Sequence, residues 1–175
     1  MNFRLIFCGG FMYKDEKRNL NYLSKYKNTE LNGLTEYGIL LEQYKKASVA
    51  VELYLPNVER EFATTTRTFE YLWSGLPVIY TKGMYLADYI KEYDAGWVID
   101  SADKNQLQKV LAEIFADPQI CSVKGRNAQR LLKEQFNNYD AVRELSEFCA
   151  APRKLKNKIT YISYLSKNFL KTKQK

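Results

Sequence analysis

The chain of 175 residues contains no histidine, and its three cysteines, Cys8, Cys121 and Cys149, lie far apart. The lack of histidine and of any Cys-x-x-Cys pair argues against a zinc site, a disulfide framework and a Cys–His catalytic pair. No run of about 18 apolar residues is present, so a membrane-spanning helix is not expected. The first ten residues also lack the cleavage pattern of a signal peptide. These absences favour a globular protein of the reducing cytoplasm.

Acidic residues are missing from the last part of the chain. Residues 152–175 carry eight Lys or Arg and no Asp or Glu, whereas the rest has 19 basic and 20 acidic residues, a net charge of −1. The overall charge of +7 therefore belongs to the tail, and we divide the chain into a domain, 1–151, and a basic tail, 152–175. The slightly acidic body has no recognised nucleic-acid motif, which argues against a nucleic-acid partner.

The apolar residues of the tail recur at helical spacing among the basic ones, at Leu155, Ile159, Ile162, Leu165 and Phe169. This pattern predicts an amphipathic helix. Such a helix suits an anionic membrane surface, where a lipid-linked acceptor would lie, and it equally suits packing on another protein domain. Both alternatives stay open at this point.

Short apolar runs alternate with segments of helical periodicity through the rest of the chain. The predicted strands are "FRLIF", "TELNG", "VAVEL", "PVIYT" and "GWVID". Helices are predicted over 16–26, around 39–44, over "RTFEYLWS" and "LADYIKEY", and over 103–115, 123–135 and 139–149, with "YLPNVEREFATT" as a loop. The alternation predicts an α/β domain with a parallel sheet of about four or five strands covered on both faces. Ligands of such folds bind at the carboxyl ends of the strands.

The stretch "ATTTRTFEYLWSGLPVI" places Thr64, Thr65 and Thr66 directly before a predicted helix. Backbone N–H groups at a helix start lack helical partners, and small hydroxyl side chains can cap them or share them with a bound anion. Arg67 would add a two-pronged contact to a phosphate. The alternative is a plain helix cap, with Arg67 and Glu70 as an ordinary solvated ion pair.

The helix after the threonines has two predicted faces. At 100° per residue, Phe69, Leu72 and Trp73 share one side, which is expected to pack on the sheet. Arg67 and Glu70 share the other side with Ser74, so these two charged side chains are expected to face a cleft.

Three blocks together carry a family resemblance: "RLIFCGG", "LNGLTEYGILLEQYKKASVAVEL" and "EREFATTTRTFEYLWSGLPVIYTKG". They resemble the C-terminal, donor-binding half of retaining GT-B glycosyltransferases of the glycosyl transferases group 1 type, which include many enzymes of cell-surface polysaccharide synthesis. The resemblance runs from Phe3 to about Phe148, and "RTFEYLWSGLPVI" is its most specific part. It implies a Rossmann-like three-layer domain with a parallel sheet, one half of a GT-B fold.

The resemblance also implies roles for individual residues in binding a UDP- or GDP-linked sugar. Glu70 matches the carboxylate that holds the ribose hydroxyls, and the run Thr64, Thr65 and Thr66 matches the helix start under the diphosphate. Arg67 matches an arginine found in a subgroup with a similar block. The remaining matches are backbone segments: the turn Asn32, Gly33 and Leu34 lies against the nucleobase in the family, and Gly9 and Gly10 form a turn that faces the cleft.

The sequence departs from the family pattern in three places. A second glutamate expected eight positions before Glu70 is replaced by Phe62, so Glu59 and Glu61 are the nearby candidates for the contact with the donor sugar. "FRLIFCGG" resembles the second strand of the domain, with no earlier one in the sequence. No acceptor-binding N-terminal domain is present, so we expect a fragment or a separate half that does not transfer sugar alone.

These patterns together predict the donor-binding domain of a glycosyltransferase of the hexosyltransferase type. It would transfer a sugar from a nucleotide-diphosphate sugar to a glycan or lipid-linked acceptor in cell-surface polysaccharide synthesis. No Asp-x-Asp motif is present, so we expect no metal and no cofactor besides the donor substrate. The expected location is the cytoplasm, with peripheral attachment to the inner face of the membrane. The alternative is a non-catalytic nucleotide-binding or scaffold module of doubly wound fold.

Overall fold

The structure, a computed structural model, describes residues 3–9, 22–55, 57–63 and 65–152, apart from the side chains at 138, 140 and 141. The chain forms two compact units, Met1–Gln135 and Phe136–Lys175. The predicted division into 1–151 and 152–175 stays a prediction, because the predicted tail helix lies outside the described residues.

Five strands are found where the sequence predicted them: β1 (Leu5–Phe7), β2 (Thr29–Leu31), β3 (Ala50–Glu52), β4 (Val78–Thr81) and β5 (Gly96–Ile99). Every strand pairing is parallel, as expected. The prediction of a single sheet of four or five strands is wrong. The strands form a sheet of two, β1–β2, and a sheet of three, β3–β4–β5. The sheet is divided because β1 and β3 are not hydrogen-bonded to each other. Both strands instead border one cavity, which lies beside the start of the helix Thr66–Trp73.

The helices are α1 (Tyr37–Lys46), α2 (Val58–Phe62), α3 (Thr66–Trp73), α4 (Ala87–Glu92), α5 (Lys104–Ala116), α6 (Gln119–Gln135) and α7 (Asn138–Ala150). The segment of α2 was predicted to be loop. It begins at the side chain of Asn57, which accepts a hydrogen bond from the backbone N–H of Arg60 at 2.9 Å and caps one short turn. The helix predicted over 16–26 lies largely outside the described residues.

The core of the first unit lies on both sides of β4, whose four residues are all buried. On one face, Ile79, Trp97 and Ile99 pack with Val110 of α5 and Cys121 of α6. On the opposite face, the side chain of Glu52 in β3 is hydrogen-bonded to α3. Helices therefore cover this sheet on both faces, which confirms the predicted layered α/β architecture.

Two glycines fix the end of α3 and the position of α6. Gly75 has φ +73°, a left-handed conformation that favours glycine, and it follows the C-cap residue Ser74. A Cβ atom on Gly125 of α6 would lie 2.1 Å from the carbonyl oxygen of Gly75. Only a glycine at 125 lets α6 approach this turn so closely, and the approach holds the end of α3 in place.

The second unit contributes α7, whose apolar residues Tyr139, Val142, Leu145 and Phe148 are 52–77% exposed. They recur every three residues, so at 100° per residue they spread over about half of the circumference of the helix. No helix among the described residues is both long enough and apolar enough to cross a membrane.

Candidate functional site

The start of α3 has the cap that the threonine run predicted. Thr65 is the N-cap residue, and its hydroxyl oxygen accepts a hydrogen bond from the backbone N–H of Thr68 at 3.4 Å. Thr66 is the first helical residue and is exposed to solvent. Thr64 lies outside the described residues. The cap confirms why small hydroxyl residues precede this helix, and it accounts for one of the three threonines.

A buried carboxylate that the sequence analysis missed lies next to this cap. Glu52, the last residue of β3, is 4% exposed. Its Oε1 atom accepts a hydrogen bond from the hydroxyl of Thr65 at 2.5 Å, and its Oε2 atom accepts one from the hydroxyl of Thr68 at 2.5 Å. Bonds from hydroxyls to a carboxylate are short and strong because the acceptor is charged. They attach the first turn of α3 to the carboxyl end of β3.

The predicted orientation of α3 is therefore partly wrong. Thr68 and Leu72 are both fully buried, whereas Trp73, expected to face the sheet, is 73% exposed. The physical reason is Glu52: Thr68 lies at the centre of the buried face because its hydroxyl donates a hydrogen bond to this buried carboxylate. The buried face is thereby turned by about one residue position relative to the face predicted from the apolar pattern.

A cavity of about 310 Å³ lies at the carboxyl ends of β1 and β2 and beside the start of α3. Its size falls at the lower end of the range for small-molecule sites, roughly 300–1,000 Å³. The lining residues are Ile6, Cys8, Gly9, Leu34, Thr35, Leu40, Gln43, Tyr44, Ala47, Ala50, Arg67, Tyr71 and Leu76. The described wall of the cavity is about equally polar and apolar, and its polar side chains include Thr35, Gln43 and Arg67 besides two tyrosines. Three of the predicted site residues, Gly9, Leu34 and Arg67, lie in its wall.

Arg67 is the cation among the described residues that line this cavity. Among the residues that the structure describes, no carboxylate lies within 4.0 Å of its guanidinium group. Burial lowers the pKa of Arg67, but the nearby Tyr71, Tyr54 and Glu52 raise it by more. The guanidinium group therefore carries its positive charge without a paired anion, which is what a bound phosphate would supply.

Two tyrosines stand next to Arg67 in the cavity wall. The rings of Tyr44 and Tyr71 meet edge to face, with their centroids 4.9 Å apart. Burial and the carboxylate of Glu70 raise the pKa of Tyr44 to about 12. Burial, with Tyr44 as the second cause, raises the pKa of Tyr71 as well. Both shifts keep the hydroxyl groups in the neutral form.

Glu70 lies one turn after Arg67 and is half-buried. The ion pair with Arg67 that formed the alternative interpretation is not present, since the described residues show no oxygen–nitrogen contact of this kind within 4.0 Å. The carboxylate is close enough to Tyr44 to act on its pKa, so it lies near the cavity although it does not line it.

The two glycine turns that the sequence analysis selected lie side by side. The backbone N–H of Gly9 donates a hydrogen bond to the carbonyl oxygen of Gly33 at 2.7 Å, and that of Asn32 donates one to Phe7 at 2.9 Å. Gly33 has φ +59°, which favours glycine at the turn. Leu34 follows it, 89% exposed at the cavity rim. Gly10 lies outside the described residues.

Glu59 and Glu61, the candidates for contact with a donor sugar, are not part of this group. Both are exposed on α2, and neither lines the cavity. In the described part of the chain, no three Cys, Asp or Glu side chains are close enough together to hold a metal ion.

The sequence analysis missed Glu52, Tyr44 and Tyr71. A signal for Glu52 was available, because a single acidic residue interrupts the apolar strand "VAVEL" and such a residue needs a partner when buried. No comparable signal marks the tyrosines among the 14 of the chain. Their role depends on which elements meet at the cavity.

Several solved glycosyltransferase structures resemble this chain in fold. WaaG, a glycosyltransferase involved in lipopolysaccharide biosynthesis, has a TM-score of 0.62 at 17% identity, over 86% of this chain and 38% of WaaG. Sucrose-phosphate synthase from Thermosynechococcus elongatus has a TM-score of 0.67 at 20% identity, over 84% and 38%. Anabaena HepE in complex with UDP has a TM-score of 0.68 at 13% identity, over 85% and 41%. The chain thus spans about two fifths of these proteins and has the fold of one half of a GT-B glycosyltransferase.

No curated protein matches this chain significantly. The profile of the family described as glucosyltransferase 3-like, C-terminal domain, matches residues 2–138, which is most of the chain. The chain therefore belongs to the family of glucosyltransferase 3-like C-terminal domains.

Proposed function

We propose that this domain binds the nucleotide-diphosphate sugar from which a glycosyltransferase takes its sugar. The observation that carries the proposal is Arg67, a cation with no paired carboxylate among the described residues, in a cavity at the carboxyl ends of parallel strands. Doubly wound folds bind nucleotides at this edge. HepE, which shares the fold, has been solved in complex with UDP and in complex with UDP and glucose, which supports the same class of ligand for this domain.

The proposed arrangement assigns the diphosphate to Arg67 and to the backbone N–H groups at the start of α3. The positive end of the helix dipole and the guanidinium group both favour an anion there. Glu70, half-buried and without an ion pair in the described residues, would accept hydrogen bonds from the ribose hydroxyls. The protein would contribute positioning and electrostatic stabilisation of the leaving diphosphate. No cofactor or metal ion besides the donor substrate is assigned.

The wider activity follows from the family and remains part of the proposal. The sugar, a hexose, would pass to a glycan or lipid-linked acceptor in cell-surface polysaccharide synthesis, with the acceptor held by a different domain. The reaction would take place in the cytoplasm, at the inner face of the membrane, with the basic tail 152–175 as a contact to anionic lipids.

Calorimetric titration of UDP and GDP into wild type, Glu70→Ala and Glu59→Ala tests the proposal. A hydrogen bond to a charged group contributes about 1.5–3 kcal/mol, so Glu70→Ala should bind the nucleotide about ten- to a hundredfold more weakly. Glu59→Ala is the matched control, because this glutamate is exposed and lies outside the cavity wall. If wild type binds neither UDP nor GDP, the donor-binding function is refuted. Equal affinities of wild type and Glu70→Ala would remove the ribose contact alone.

A further inference from the structure

Glu52 is a buried carboxylate that is held by hydroxyl groups. It is 4% exposed, and among the described residues no Lys or Arg lies within 4.0 Å of it. Its two oxygens accept separate hydrogen bonds, from Thr65 and from Thr68, both at 2.5 Å. A buried charge is costly unless it is compensated, and here the two hydroxyls and the positive end of α3 provide the compensation.

These two hydrogen bonds determine whether the threonine hydroxyls can also donate a hydrogen bond to a ligand. A threonine hydroxyl has one proton, and both Thr65 and Thr68 direct theirs to the carboxylate of Glu52. The two hydroxyl oxygens lie 3.0 Å apart, but they do not hydrogen-bond to each other, because each hydroxyl donates its proton in the stronger bond to the carboxylate. Neither hydroxyl remains to donate to an anion. Among the described residues, the donors that remain at this end of the helix are backbone N–H groups, the exposed Thr66 and the guanidinium of Arg67.

The carboxylate also acts on the same space through its charge. It lies under the first turn of α3 and raises the pKa of Arg67, so the two groups are within electrostatic reach of each other. An anion bound at Arg67 would be attracted by the guanidinium and repelled by Glu52. With an effective dielectric constant of about 20, a unit charge about 4 Å from Arg67 gains about a thousandfold in affinity, and repulsion from the carboxylate of Glu52 reduces this gain.

We propose that Glu52 is a positioning residue with two effects: it fixes the start of α3 so that Arg67 lines the cavity, and its charge limits how tightly the site retains a nucleotide diphosphate. A site of this kind binds its nucleotide-sugar substrate and still releases the nucleotide diphosphate after transfer. The inference rests on the proposed function, because it takes the diphosphate to bind at Arg67.

Glu52→Gln separates the two effects, because glutamine keeps the size of the side chain and can still accept a hydrogen bond from one threonine while it donates one to the other. Calorimetry compares the nucleoside and the nucleoside diphosphate, with uridine and UDP or guanosine and GDP as the probes. We expect Glu52→Gln to bind the diphosphate at least about fivefold more tightly than wild type, and the nucleoside equally well. A merely structural role would weaken binding of the diphosphate or change neither ligand. Either of those results would overturn the proposal.

Binding of the diphosphate by wild type, with no gain in Glu52→Gln, would refute the role of Glu52 and leave the donor-binding function intact. Failure of both proteins to bind UDP and GDP would refute both. Thermal unfolding shows whether Glu52→Gln is folded. If it is not, wild type itself provides the test through the comparison of UMP with UDP or of GMP with GDP. Opposition by Glu52 predicts that the added phosphate gains much less than the thousandfold or so expected for contact with an unopposed Arg67, and a gain near a thousandfold would contradict the proposal.

Discussion

Replacement of Thr68 by valine tests whether the bonds to Glu52 hold α3 on β3. Valine has the shape of threonine and a similar helix propensity, so the substitution replaces the hydroxyl group by a methyl group and changes little else. Thr68 is fully buried, and its hydroxyl is the partner of the Oε2 atom of Glu52 at 2.5 Å. Loss of a hydrogen bond to a buried charged group costs about 1.5–3 kcal/mol. Burial of a methyl group offsets up to about 0.8 kcal/mol of this. We expect the free energy of unfolding to fall by about 1–2 kcal/mol.

Thr66→Val is the matched control, since it makes the same substitution at an exposed position of the same helix. A surface substitution of this kind is expected to change the free energy of unfolding by about 0.5 kcal/mol or less. Urea unfolding followed by tryptophan fluorescence measures both variants. A Trp73→Phe background leaves the buried Trp97 as the reporter of the first unit. Equal stabilities of Thr68→Val and Thr66→Val would show that the bond from Thr68 to Glu52 does not hold α3 on β3.

Two further predictions concern pH and the tail. Burial and then Glu70 raise the pKa of Tyr44 to about 12, above about 10 in an unfolded chain. The contribution of Tyr44 to the free energy of unfolding should therefore be complete below about pH 10 and be lost between about pH 10 and 12. Urea unfolding at a series of pH values should show a smaller loss for Tyr44→Phe than for wild type. If the pH dependence is the same with and without Tyr44, its hydroxyl is not in a buried environment. Removal of 152–175 should abolish flotation of the protein with vesicles that contain anionic lipid, and undiminished flotation would exclude a membrane contact through the tail.

The fold could largely be predicted from local patterns in the sequence. Runs such as "VAVEL" and "PVIYT" are too short for helices and too apolar for loops, so parallel strands were the physical solution. The capping role of the threonines also depends on neighbouring residues only, and the cap at Thr65 was confirmed. Position in the family block singled out Arg67, which lines the cavity.

Contacts between distant parts of the chain decided the rest. The separation of the strands into two sheets depends on which strand edges meet, and the apolar pattern of β1 and β3 carries no information about that. The exposed position of Trp73 follows from a hydrogen bond between Thr68 and Glu52, which are 16 residues apart. By itself the sequence determined the strands, the helix starts and the parallel arrangement, because hydrophobic periodicity and capping act over a few residues. Only the tertiary structure decided which side of α3 is buried and which groups surround Arg67, because a buried charge takes its partners wherever the fold brings them.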